Sequence, residues 1–280
     1  MVVVQLTNGF GNNIFQIMAG KLLSNFLDKG LKIVAPTPDY YAIKDLKSLG
    51  FSVEPDHSNI HIAGEVVRAN DSNYRLCYNH ELKKYDILLS GYFEDYTYYK
   101  ESADLIKSWL PEINKKNTND LVIHFRAGDR LFYKNEFHTK PSFERYEKAI
   151  EQFDFDKLHI VTDMPKWEKA TPEQVESMKF HYDVPKENRV SPQLSADYLN
   201  SFVDGMSKYN PSVQHRNIFE DFNFIRSFDN ILFQHGTLGW WAAFTSDANK
   251  VGVYGPWRPW KGDSNKNLSK IDLPGWFQWK

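Results

Sequence analysis

A group of charged residues follows an apolar segment near the middle of the chain. Leu121–Phe125 is predicted to form a buried strand, and its end and the turn after it carry His124, Arg126, Asp129 and Arg130. Ligands bind at the carboxyl ends of parallel strands, so these side chains are placed to meet one. The guanidinium of Arg126 can hold a diphosphate through two parallel hydrogen bonds, which an ammonium group cannot do. The alternative is an ion pair between Arg126 and Asp129 that only caps the strand.

A glycine-containing turn after the first predicted strand is a second candidate. The strand covers residues 2–6, and residues 8–16 read Asn-Gly-Phe-Gly-Asn-Asn-Ile-Phe-Gln. The glycines permit a tight turn, and the helix that follows offers free N–H groups. Position 14 is Ile where the dinucleotide-binding fingerprint requires a third glycine, which excludes that fingerprint. The amides favour a polar ligand such as a sugar, and the alternative is an ordinary turn with Asn as the helix N-cap. The predicted substrate-binding residues are Gly11, Asn12, Asn13 and Gln16.

A third candidate lies between a late predicted strand and a predicted helix. Thr237 is expected at or near the N-cap of that helix. The backbone N–H groups around Gly236, Thr237 and Gly239 would suit a phosphate. Trp240 and Trp241 are neighbours on the helix and point in different directions, so at most one is expected to line a ligand site.

Acidic residues at two other turns have different expected roles. Asp163 follows a predicted strand at residues 157–162, so it could orient a ribose, a base or an arginine, or simply cap the turn. Asp154 and Asp156 match the Asp-x-Asp metal signature of some sugar transferases, but they lie in a predicted helix-to-strand turn, where we expect a solvated loop. Of the nine histidines, only His57 and His61 have His-x-x-x-His spacing, and no metal site is predicted.

The elements that must position these residues alternate between strands and helices. This pattern predicts an α/β fold with parallel sheets. The polar segment at residues 114–120 is the best candidate for a linker. We therefore predict two Rossmann-like domains facing a cleft, an N-terminal domain at residues 1–115 and a C-terminal domain at residues 116–280.

Composition narrows the class of protein. Of the 280 residues, 41% are hydrophobic and 25% charged, with a net charge of -2, which excludes a disordered chain and a general nucleic-acid binder. The single cysteine, Cys77, excludes an internal disulfide framework. We expect no membrane span and no signal peptide, and hence a cytoplasmic location. Aromatic residues make up 15% of the chain, including a tail with Trp257, Trp260, Trp276 and Trp279 that could bind a sugar or pack.

Together, these segments resemble the α-1,2-fucosyltransferases, glycosyltransferase family 11 of the inverting fucosyltransferases. That family opens with Gly-Gly-Leu-Gly-Asn-Gln-Met-Phe-Gln, which is similar to residues 8–16, and carries a Gly-Tyr-Trp/Phe segment similar to residues 91–93. Its His-x-Arg-Arg-Gly-Asp motif resembles residues 124–129. Its Ser/Thr-Asp-Asp-x-x-Trp and Ser-x-Phe-Ser/Gly-Trp-Trp-Ala-Ala elements resemble residues 162–167 and 237–243. The matches follow the family's order along most of the chain.

The resemblance implies a GT-B-like fold and transfer of L-fucose from GDP-fucose to a glycan hydroxyl with inversion. Residues 1–115 would then form the acceptor-side domain and residues 116–280 the nucleotide-sugar-binding domain. It implies no metal ion and no cofactor beyond the nucleotide-sugar donor, and its partners would be that donor and an oligosaccharide or glycan acceptor. Arg126 would neutralise the diphosphate leaving group, assisted by the backbone turn at residues 236–239. His124 and Asp163 would contact or support the donor.

Two single positions and one three-residue segment depart from the family's motifs. Ala127 stands where the His-x-Arg-Arg-Gly-Asp motif has its second arginine, and Met164 stands where the Ser/Thr-Asp-Asp-x-x-Trp element has its second aspartate. Residues 235–237 replace a Ser-rich run. Two alternatives therefore stay open: a glycosyltransferase with another nucleotide-sugar donor, and a non-catalytic carbohydrate-binding protein. Inversion by direct displacement would use a carboxylate to accept the proton of the acceptor hydroxyl, and the candidates are Glu136 and Asp129. A cation-like transition state could need little assistance from such a base.

Overall fold

A computed structural model describes residues 1–55, 65–116, 118–134, 140–179, 184–255 and 273–279. The chain has an α/β fold with two parallel sheets, as the alternating pattern predicts. It divides into two compact units, and the division falls between Glu112 and Ile113. The start of the predicted linker segment contacts the second unit, because the Lys115 ammonium lies 2.7 Å from an Asp229 carboxylate oxygen.

The first unit is built on a five-stranded parallel sheet of short apolar strands. Its order, β3-β2-β1-β5-β4, places β1 and β5 side by side. From β1 the chain continues to β2 and β3 on one side of the sheet, then crosses to β4 at the opposite edge and returns to β5 beside β1. The topological switch point therefore lies between β1 and β5. The strands are β1 (Val2–Gln5), β2 (Leu31–Val34), β3 (Val53–Glu54), β4 (Val66–Ala69) and β5 (Asp86–Leu89).

The helices described in the first unit are α1 (Phe10–Leu27), α2 (Ile43–Ser48) and α3 (Ala103–Ser108). The prediction of an Asn N-cap before α1 is wrong, because the N-cap is Gly9. The N–H of Asn13 already donates to the carbonyl of Gly9 at 3.0 Å, so Asn12 and Asn13 belong to the first helical turn.

The second unit contains a six-stranded parallel sheet with the order β11-β10-β9-β6-β7-β8. Numbered from its own first strand, this is the 3-2-1-4-5-6 order of Rossmann-type sheets, read from the β8 edge. All five residues of β6 are buried, as expected for a central parallel strand. The strands are β6 (Leu121–Phe125), β7 (Leu158–Thr162), β8 (Ser212–Gln214), β9 (Asn230–Phe233), β10 (Lys250–Tyr254) and β11 (Phe277–Trp279).

The described helices of the second unit are α4 (Phe143–Ile150), α5 (Pro172–Ser177), α6 (Pro192–Ser207), α7 (Ile218–Arg226) and α8 (Thr237–Thr245). The side chain of Ser191 caps α6 by accepting the Leu194 N–H. α6 buries Leu199, Phe202 and Met206 at helical spacing. None of the helices in the described residues is long and apolar enough to cross a bilayer.

Much of the aromatic content of the second unit lies in its interior. Trp240 and Trp241 are both fully buried, and the Trp240 ring stacks on Phe244 with 4.8 Å between ring centroids. Trp279 packs against Tyr146, 4.5 Å between centroids. Core packing therefore accounts for both tryptophans of α8 and for Trp279, whereas Trp257 and Trp260 lie outside the described residues.

Candidate functional site

The switch point of the second sheet lies between β6 and β9, and the conspicuous polar residues of the sequence gather at its carboxyl edge. His124 of β6 is in register with Phe233 of β9, and Phe125 is in register with Thr162, which ends β7. The turns that follow these three strands therefore leave the same edge of the sheet. Ligands bind at such a crevice in open α/β sheets, so we take it as the candidate site.

Two carboxylates surround the Arg126 side chain. Its Nη2 lies 3.4 Å from Oδ1 of Asp129, and its Nε lies 3.9 Å from Oδ2 of Asp163. The other Asp163 oxygen accepts the Ala127 N–H at 2.9 Å. The contacts made by the guanidinium are long for charge-assisted hydrogen bonds, and the side chain is 29% exposed. Arg126 is therefore oriented by its neighbours and retains donors for a ligand.

Two residues without an obvious chemical signal hold the Arg126 backbone. The Gln234 amide donates to the carbonyl oxygen of Arg126, and its own oxygen accepts the Tyr146 hydroxyl at 2.6 Å. Gln234 is 2% exposed and Tyr146 is fully buried. A satisfied buried network of this kind fixes the end of β6 against the end of β9. Sequence reasoning missed both residues, because an isolated Gln and Tyr carry no spacing signal.

Arg130 carries a positive charge that few direct contacts offset. Its Nη1 is buried and has no hydrogen-bond partner in the part of the chain that the structure describes. Burial and the nearby charge of Arg126 lower the pKa of Arg130 to about 10, so it remains protonated at neutral pH. The charges of Asp129 and Asp163 favour the cation through space. Arg130 is half-buried, and enclosing one guanidinium nitrogen without a direct partner is costly, so this position suits an anionic ligand.

His124 is buried beside the two arginines. Burial, followed by the charges of Arg126 and Arg130, lowers the pKa of His124 to about 3. Its Nδ1 has no hydrogen-bond partner among the described residues. The imidazole is therefore neutral throughout the physiological range. A neutral ring can offer one donor and one acceptor to a ligand without adding to the positive charge of the site.

The acid stability of the protein should depend on His124. An unfolded histidine titrates near pH 6.5 and His124 near 3, so the unfolded chain takes up a proton first as the pH falls. Stability from this group is fully present above pH 6.5 and declines below it, by up to about 1.4 kcal/mol per pH unit. We expect His124→Asn to reduce the slope of the unfolding free energy against pH between pH 6 and 4, measured by urea denaturation at each pH. The reduction should correspond to the uptake of about one proton fewer on unfolding. Parallel curves for the two proteins would contradict this assignment.

Close backbone approach explains two glycines at the site. At Gly128, which has a φ of +31°, a Cβ would lie 2.3 Å from Oδ2 of Asp163. At Gly239, a Cβ would lie 2.7 Å from Nδ1 of His124 and 3.1 Å from the Phe233 ring. The glycines therefore let the β6 turn and the start of α8 pack directly against site side chains.

The N-terminus of α8 completes the crevice. Thr237, predicted at or near the N-cap of this helix, is its first helical residue, and Gly236 is the N-cap. The first backbone hydrogen bond of the turn runs from the Trp240 N–H to the Gly236 carbonyl at 3.0 Å. The preceding N–H groups have no acceptor within the helix and lie at the positive end of its dipole.

The predicted substrate-binding residues of the first unit occupy its own switch point. Asn13 and Gln16 are fully buried. The Gln16 amide donates to the Thr7 hydroxyl at 2.8 Å and to the Gly91 carbonyl at 2.9 Å, while Asn13 donates to the Thr7 carbonyl at 2.9 Å. These amides therefore fasten the turn after β1 to the turn after β5. Gly11 is buried and Asn12 half-buried in the same helical turn.

Other candidates lie elsewhere. The candidate base Glu136 is outside the described residues. Asp154 and Asp156 are exposed and precede β7, at the edge of the sheet opposite the crevice. Within the described residues, no group of three or more His, Cys, Asp or Glu side chains is placed to hold a metal ion.

Functional assignment depends on this geometry and on the motif order. No protein-family model matches the chain. No curated protein sequence matches it significantly. The crevice therefore has to be interpreted from its own chemistry: two arginines, a neutral histidine, two carboxylates and a helix N-terminus.

Proposed function

We propose that the protein is an inverting glycosyltransferase that uses a nucleoside-diphosphate sugar, with GDP-fucose as the donor and a glycan hydroxyl as the acceptor. The observation that carries the proposal is Arg130, a half-buried cation near Arg126 whose Nη1 is buried without a hydrogen-bond partner among the described residues. Two cations and a helix N-terminus at a Rossmann-type switch point suit a diphosphate. The motif resemblance is the ground for proposing L-fucose as the sugar, a GT-B-like fold and the candidate bases.

The departure at Ala127 fits this proposal. The second arginine of the family motif is absent there, and Arg130 supplies a second guanidinium instead. Arg130 lies close enough to Arg126 for the charge of Arg126 to lower the pKa of Arg130. The positive charge available to a diphosphate is thus retained by a residue three positions later in the sequence. Asp163 and Asp129 orient Arg126 so that its remaining donors can serve the ligand.

The proposed reaction is a direct displacement. The acceptor oxygen attacks the anomeric carbon on the face opposite the diphosphate, and the bond from that carbon to the diphosphate oxygen breaks with its electron pair. The hydroxyl proton passes to a carboxylate, for which Glu136 and Asp129 are the candidates. Arg126, Arg130 and the α8 N–H groups stabilise the charge that develops on the leaving GDP.

Donor turnover tests this proposal. We expect wild-type protein to release GDP from GDP-fucose, faster with a glycan acceptor present, and Arg126→Met to lower the rate by at least about 100-fold because an organised donor is lost. Arg68, an exposed residue of β4 in the first unit, supplies the control, and Arg68→Ala should retain the wild-type rate.

The alternatives give different results in the same assay. Turnover of a UDP, CMP or dTDP sugar in place of GDP-fucose would change the donor and keep the reaction class. Glycan binding without release of any nucleotide would identify a non-catalytic carbohydrate-binding protein. Equal rates for wild-type protein and Arg126→Met would contradict the assigned role of the crevice.

A further inference from the structure

A cluster of tyrosines lies at the switch point of the first unit. Asn8 follows β1, Tyr92 follows β5, and Tyr40 and Tyr41 follow β2. The Asn8 amide donates to the Tyr92 hydroxyl at 2.6 Å, and the Tyr41 hydroxyl donates to the Asn8 carbonyl at 2.9 Å. Tyr40 donates to the same carbonyl and to Oδ1 of Asn13 at 3.0 Å. We call Asn8, Tyr40, Tyr41 and Tyr92 the tyrosine patch.

The tyrosine patch is presented to solvent. Tyr92 is 41% exposed, one of the most exposed large hydrophobic side chains described, and Asn8 is also exposed. Tyr40 and Tyr41 are half-buried, with 5.0 Å between their ring centroids and planes inclined at 56°. The patch therefore combines aromatic surface with hydroxyl and amide groups at the carboxyl edge of the sheet, where ligands bind.

The backbone beneath the patch is strained and tightly held. Asn8 has a φ of 60° and Phe93 a φ of 57°, both in the left-handed region, which is unfavourable for a bulky residue such as Phe. Asp71 accepts the N–H groups of Tyr92 at 2.9 Å and Phe93 at 2.5 Å, and Gln16 joins the two turns from below. Such conformations persist where the surroundings impose them, and they concentrate at ligand sites.

We propose that the tyrosine patch is a binding site for a neutral saccharide. The four side chains carry no formal charge, so charge attraction contributes nothing to recognition by the patch itself. Aromatic rings can cover the apolar C–H faces of a sugar ring, and the tyrosine hydroxyls and the Asn8 amide can exchange hydrogen bonds with sugar hydroxyls. The saccharide is the acceptor if the proposed function holds, and this identity alone rests on that proposal.

Saccharide binding tests this inference without a nucleotide. The probes are lactose, maltose and cellobiose at millimolar concentration, observed by saturation-transfer NMR on the full chain, with 3′-sialyllactose as the charged comparison. We expect at least one neutral disaccharide to bind, and Tyr92→Ala to weaken its binding by about tenfold or more. Tyr78, 37% exposed in the same unit, supplies the control, and Tyr78→Ala should retain the wild-type affinity.

A second variant covers a failure of Tyr92→Ala to fold. Tyr92→Phe keeps the ring and removes the oxygen that the Asn8 amide bonds, so it should weaken binding by roughly twofold to fivefold. No binding of the three disaccharides, wild-type affinity in the folded Tyr92 variants, an equal loss in Tyr78→Ala, or preference for the sialylated probe would overturn the inference. Each of these results leaves the GDP-release experiment to stand or fail separately.

Discussion

Replacing Arg130 with methionine should stabilise the protein and strongly weaken its binding of diphosphate. Methionine is unbranched and apolar and fills much of the same space, so the desolvation cost of a half-buried guanidinium with its Nη1 buried and unpartnered among the described residues disappears. We expect the free energy of unfolding to rise by about 1–4 kcal/mol in phosphate-free buffer, measured by urea denaturation. Binding of inorganic pyrophosphate, measured by calorimetry, should weaken by at least about 30-fold, because a buried charge pair is no longer formed.

Arg126→Met is the matched control for the stability effect. Arg126 lies near two carboxylates, at 3.4 Å and 3.9 Å, so its removal leaves negative charge unpaired. We expect this variant to lose roughly 1 kcal/mol of stability while also losing pyrophosphate binding. If Arg130→Met raises the free energy of unfolding, Arg126→Met lowers it, and both variants bind pyrophosphate more weakly, then Arg130 is an anion-binding cation and not part of a structural ion pair. A destabilised Arg130→Met that binds pyrophosphate normally would contradict the role assigned to Arg130.

Gly239→Ala should damage both packing and binding, whereas Gly236→Ala should leave the packing intact. The new Cβ at position 239 would lie 2.7 Å from a His124 nitrogen and 3.1 Å from the Phe233 ring, so the start of α8 must shift. We expect a loss of about 1–3 kcal/mol from overpacking and weaker pyrophosphate binding by about tenfold. At position 236, the nearest atom to a new Cβ is 3.6 Å away, which is ordinary contact. Thermal unfolding and calorimetry on the pair would measure both effects, and equal behaviour of the two variants would refute the close approach of α8.

Local signals in the sequence were sufficient for the sheet of the second unit. The continuous apolar run of β6 and the polar residues after it predicted a ligand-facing strand end, and β6 is central in the sheet. The order β8-β7-β6-β9 then brings Asp163 beside Arg126, which agrees with the rule that sites lie at strand ends. These features depend on hydrophobic patterning and on short-range spacing, both of which are visible in one sequence.

Other parts of the site depend on contacts between distant positions. Tyr146 and Gln234 are 88 residues apart, and Asn8 and Tyr92 are 84 apart, so neither pairing leaves a local pattern. Helix α6 was missed although Ser191, Pro192 and the spacing of its buried residues were readable signals. Asn13 and Gln16 were predicted to bind substrate. In the structure, their buried amides donate hydrogen bonds that hold the turns after β1 and β5 together.

Titration of the full chain with GDP by calorimetry tests the central claim most directly. If the crevice between β6 and β9 is a nucleotide-sugar site, GDP should bind at one site, compete with inorganic pyrophosphate, and bind at least about 30-fold more weakly to Arg126→Met. Arg68→Ala should bind GDP as the wild-type protein does. Absence of binding by GDP, UDP, CDP and dTDP at millimolar concentration, or equal GDP affinity in Arg126→Met, would contradict the claim.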